Sequence, residues 1–174
     1  ASAANPWLCD RLLAWWLAQW ETGYAWHMAG GALPAVVVLF AVSLAAGTDR
    51  WPLGRHWPLY RDFLLSPLAV GLALWTLVAN IGAPGGLEPL SLYVPLLNPI
   101  DLVVGASATA IWAWARHLEA GRMRLLAWKI MMLLGFVWLN AIALRSIHYW
   151  TGVPYRIGDL MANVLVQATL SIVW

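Results

Sequence analysis

The chain has 174 residues, of which 62% are hydrophobic and only 10% charged, with ten basic and eight acidic side chains and a net charge of +2. A soluble domain runs at about 25% charged residues, so this composition excludes a water-covered globule and a disordered segment. It also excludes a nucleic-acid binder, which needs a basic patch. One cysteine, Cys9, excludes a disulfide scaffold and a thiolate metal cluster, and fourteen tryptophans suit a chain that lives between lipid and water.

The expected fold class is all-α: a polytopic helical membrane protein of about five transmembrane helices behind an N-terminal amphipathic segment. Residues 1–30 form the first unit and residues 31–174 the bundle. In the stretch 6–28, Cys9, Leu12, Leu13, Trp16 and Trp20 share one half of a helical wheel. Asp10, Arg11, Glu21 and Thr22 share the other, and Gly30-Gly31 reads as a break. Such a helix lies along the outer leaflet, or packs with its polar face in a cavity.

Apolar runs long enough to cross follow at residues 28–47, 63–83, 100–118, 125–146 and 158–174. Ser66-Pro67 and Asn98-Pro99 place a capping side chain before a proline suited to the first helical turn, and Asp159 can cap the last run. From Leu160 that run stops at Trp174 after roughly 22 Å of helix, short of about 30 Å of hydrocarbon, so a longer protein is expected. Arg50, Arg55 and Arg61 lie in loop 48–62, and Arg116, Arg122 and Arg124 around loop 119–124, whereas loop 84–99 has no basic residue. The positive-inside rule makes the two basic loops cytoplasmic. Arg145 and Arg156 fall on the outer side.

Polar groups inside a membrane are costly unless they are paired or face a cavity, so they mark the bundle interior. Asp159, Asn163, Gln167 and Ser171 recur every four residues and predict a stripe down the last span; Asp101, Gly105 and Thr109 do the same on the third. Thr76 and Asn80 mark the second span, and Asn140, Arg145 and His148 share one arc of the fourth. Asn80, Asn98, Asp101, Arg145, His148, Arg156 and Asp159 gather toward the outer helix ends, and Asn140 joins them as a candidate through its place on the Arg145 arc. This cluster has two readings. Arginines that neutralise Asp101 and Asp159 would fasten helix ends together. Alternatively, an outward pocket would hold an anionic group on arginine, with His148 or an aspartate handling a proton.

No P-loop, zinc signature, dinucleotide fingerprint or nucleophile elbow is present. No cofactor and no metal are expected, and the histidines read as interface groups. Two functions compete: an envelope transporter or enzyme for an anionic or lipid-linked substrate, and a non-catalytic scaffold. The expected partners are membrane lipid and other membrane-protein subunits or the rest of the same protein, with no nucleic acid.

The segment Tyr93-Val94-Pro95-Leu96-Leu97-Asn98-Pro99-Ile100-Asp101-Leu102 and the run from Trp138 through Asn140, Arg145 and His148 to Tyr155 carry one further signal. Together they resemble the C-terminal part of a family of large bacterial, many-spanning predicted membrane proteins of unknown function. The likeness covers roughly residues 80–174. It implies a multi-pass protein of the bacterial inner membrane with more than five helices, and it implies no particular activity.

Overall fold

The computed structural model describes residues 24–46, 53–85 and 93–173. Most of the expected interfacial helix therefore lies outside the described residues. The first described helix, α1 (Tyr24–Ala45), runs without interruption through Gly30-Gly31 and Pro34, so the expected break is absent. Packing explains it: Ala25, Ala29, Ala32, Val36, Leu39 and Ser43 form a buried seam at alternating steps of four and three. Small residues on such a seam let neighbouring helices approach closely enough to hold a Gly- and Pro-containing helix together.

The second span begins ten residues earlier than expected. Helix α2 (Leu53–Leu59) kinks at His56, two residues before Pro58. It continues through a π-helical stretch, Tyr60–Leu65, into α3 (Ser66–Gly82). Ser66 is therefore not the N-cap of α3: its backbone N–H donates to Arg61 O five residues back, and its hydroxyl donates to the same carbonyl. The wider turn suits Pro67, which brings no N–H of its own. On α3, Ala69, Leu72, Thr76, Ala79 and Asn80 face inward while Val70, Leu74, Val78 and Ile81 are exposed. That division fits a helix with one face in protein and one in lipid.

Helix α4 (Pro99–Ala115) is the centre of the bundle, touched by α1, α3 and α5 and buried on most of its circumference. Helix α5 (Arg122–Thr151) has 30 residues and spans about 45 Å. Among the described residues three helices are long and apolar enough to cross a membrane, Ala25–Ala45, Gly54–Gly82 and Arg122–Thr151, and Pro99–Ala115 is a shorter apolar one. The protein is a helical membrane protein.

The last expected span is two short helices, α6 (Ile157–Ala162) and α7 (Val164–Val173), broken at an extended Asn163. Asn163 Oδ1 accepts the Leu165 N–H, the capping role that draws asparagine out of helix interiors. The break destroys the register of the expected stripe. Asp159, Gln167 and Ser171 are exposed, and Leu160 and Val166 are the buried residues instead.

The two arginine-rich connections meet at one end. Arg61 bonds Asp62 and reaches Glu119 at 3.4 Å, and Trp57 packs edge-on against His117 at 5.5 Å. Arg55 and Arg61 lie on helix rather than in the loop expected over 48–62.

Candidate functional site

At the opposite end a buried polar cluster joins three helices. Its base is local sequence chemistry: Asn98 caps α4, Pro99 occupies the first turn, and the Asp101 N–H donates to Asn98 Oδ1 at 2.9 Å. The Asn98 amide donates in return to Asp101 Oδ2. This reciprocal pair satisfies one helix-start donor, the Asp101 N–H, and fixes the carboxylate where the helix dipole favours negative charge. The preceding turn closes with Leu97 N–H on Val94 O, with Leu96 at φ +69°, a backbone conformation costing a non-glycine residue about 1–2 kcal/mol.

Arg145 enters from α5. Its Nη1 donates to Asp101 Oδ1 at 2.6 Å, Nε to Ala83 O at 3.0 Å and Nη2 to Ala79 O at 3.0 Å. Those two carbonyls belong to the C-terminal end of α3, the negative end of its dipole. The guanidinium therefore sits between a helix C-terminus and the carboxylate at a helix N-terminus. Both charged side chains are wholly buried, at 0% exposure. Trp138, two turns before Arg145 on α5, donates its indole N–H to Asp101 Oδ1 at 2.9 Å.

Gly85 makes the close approach possible. Its φ is +76°, and a Cβ there would lie 3.1 Å from Arg145 Cδ and 3.3 Å from Asn98 Oδ1. Tyr93 closes the cluster, with its hydroxyl on Ile142 O and its ring stacked on Tyr149 at 4.8 Å. Burial, helped by the Asp101 charge, pushes the Tyr93 phenol up to about 12.

The structure divides the residues singled out from sequence. Asp101 and Arg145 meet. Asn80 and Asn140 line a neighbouring cavity; Asn80 is buried, and Asn140 donates to Phe136 O at 2.7 Å. His148 sits beside them without joining the ion pair: its Nδ1 meets Val153 O, and its ring packs edge-on against Tyr149 and Tyr155. Burial also raises the Tyr155 phenol above its ordinary value, with the nearby Arg145 charge opposing. Arg156 and Asp159 are exposed and, among the described residues, form no ion pair. Asp159 stands on the first turn of α6, whose cap position is Arg156, so it does not cap this helix. Among the described residues no three His, Cys, Asp or Glu side chains converge as a metal site.

Sequence reasoning passed over Trp138 and Gly85. Trp138 had a usable signal, since seven residues separate it from Arg145 and put both on one helical face. The family described as "Predicted membrane protein (DUF2339)" matches residues 2–174, and the chain belongs to it. No curated protein and no solved structure matches the chain.

Proposed function

Taking that membership as premise, we propose that this chain is a non-catalytic helical unit of a multi-pass bacterial inner-membrane protein. Its buried polar cluster fastens helices for packing against other membrane-protein segments. Its two basic connections face the cytoplasm under the positive-inside rule, and the Arg145 end faces outward. One observation carries the structural reading of the cluster: each guanidinium nitrogen of Arg145 donates to a protein acceptor, and the side chain is at 0% exposure. An arginine that holds an anionic substrate needs a free, accessible fork. This one is wholly buried and held on three sides by protein acceptors, which favours fastening over an envelope transporter or enzyme acting on an anionic or lipid-linked substrate.

Arg145→Lys separates the two readings, because it keeps the charge and loses the fork. A fastening loses two of its three bonds and the bundle unfolds at lower denaturant, while inorganic phosphate binds neither protein. Unchanged stability, with phosphate binding that the lysine variant weakens, would overturn the proposal.

A further inference from the structure

Beside the cluster lies a cavity of about 280 Å³ between the end of α3, the middle of α5 and the helices α6 and α7. At about 30 Å³ per water-sized group this holds roughly nine heavy atoms, near the lower limit for ligand pockets. Its wall is mostly apolar, with Asn80, Asn140 and Tyr155 as its polar members, and it includes Ile81, Phe136 and Met161, which are 60%, 44% and 45% exposed. Exposed apolar side chains on membrane helices suit contact with hydrocarbon.

The lining contains no charged residue, so it does not suit a phosphate or carboxylate headgroup. One of its lining residues, Asn80, carries an unmet hydrogen-bond acceptor. Asn80 is 2% exposed, and its amide donates to Thr76 O at 2.8 Å, but its Oδ1 is buried with no hydrogen-bond partner. A buried acceptor left unpaired is costly, and the groups able to relieve it are donors. A mostly apolar wall, an uncharged lining and one unpaired acceptor together define the ligand chemistry.

We propose that this cavity binds an uncharged lipid alcohol, whose hydroxyl donates to Asn80 Oδ1 while the adjoining chain lies against Phe136, Leu144 and Leu160. The site is separate from the Arg145 fastening, since Arg145 is not among its lining residues. Failure of either proposal leaves the other standing.

The test uses the whole chain in phosphatidylcholine vesicles with a diazirine-bearing hexadecanol as photoprobe. Label is expected on peptides carrying Phe136, Leu144 or Met161. Hexadecanol should compete about tenfold better than its methyl ether, which has no donor. Asn80→Leu should remove that preference. If Asn80→Leu does not fold, Leu144→Trp, which fills the cavity and spares Asn80, should abolish the label. Four results would each overturn the proposal: equal competition by alcohol and ether, stronger competition by hexadecyl phosphate, label spread along Val70 and Leu74 on the lipid face, or crosslinking of the cavity to another protein segment.

Discussion

Removing Arg145 strands a buried carboxylate, and the size of the loss reports how the cluster works. Arg145→Met deletes three hydrogen bonds: one to Asp101, one to Ala83 O and one to Ala79 O. Hydrogen bonds in membrane proteins average about 0.6 kcal/mol, so three neutral bonds would account for about 2 kcal/mol. Breaking a buried ion pair from one side costs about 3–5 kcal/mol, because the remaining charge has lost its partner. Asp101 keeps Trp138 and Asn98 as donors, which argues for the lower part of that range. Asp101→Asn should cost less, since the α3 carbonyls still hold the arginine. The double variant should be more stable than the sum of the singles predicts, by about 1–3 kcal/mol. Unfolding of the four proteins in mixed micelles, followed by helical ellipticity, measures the cycle. Additivity within about 0.5 kcal/mol, or an Arg145→Met loss below about 1 kcal/mol, would refute the reasoning.

Other outcomes follow from the same geometry. Gly85→Ala should lower stability by about 2 kcal/mol, combining left-handed backbone strain of about 1–2 kcal/mol with crowding against Arg145. In an Arg145→Ala background the crowding part should shrink, and an unchanged loss there would show that Arg145 is not the obstacle. Tyr93 should titrate near pH 12 rather than 10, read as the difference in phenolate absorbance between wild type and Tyr93→Phe. Because its folded value is raised, its contribution to stability is complete below about pH 10 and disappears as pH rises through about 12. A Tyr93 titration at its ordinary value would contradict its burial.

What was legible in the sequence was either local or electrostatic. Asn98, Pro99 and Asp101 lie within four residues and follow capping rules, so their arrangement could be read directly. Arg145 and Asp101 are 44 positions apart, yet intramembrane charges of opposite sign on spans with ends at one level have strong reason to meet. The other two ligands of Arg145 are backbone carbonyls of alanines, and nothing about an alanine advertises its carbonyl. The last span failed for a related reason. A four-residue spacing defines a stripe only if the helix is continuous, and Asn163 prefers to cap the helix that follows it. The same limit applied at Gly30-Gly31 and Ser66-Pro67, where local rules predicted boundaries that tertiary packing and a π turn carried through.

The ion pair also has a direction, and this yields the least intuitive expectation. If only the Coulomb attraction mattered, exchanging the partners, Arg145→Asp with Asp101→Arg, would restore stability because the pair is kept. The surroundings are not symmetric. Asp101 occupies the N-terminal turn of α4, where backbone N–H groups, the Asn98 amide and the Trp138 indole all present hydrogens. Arg145 faces the oxygens of Ala79 and Ala83 at the C-terminal end of α3. The exchange sets a carboxylate against carbonyl oxygens and a guanidinium against three kinds of donor. Each helix end contributes about 0.3–1 kcal/mol, and up to about 2 kcal/mol when partly buried, with its sign reversed by the swap. The swapped protein should therefore be no more stable than the worse single variant, in the same micelle unfolding assay. Recovery to within about 1 kcal/mol of wild type would mean that the charges alone hold the bundle end and that the helix termini around them are incidental.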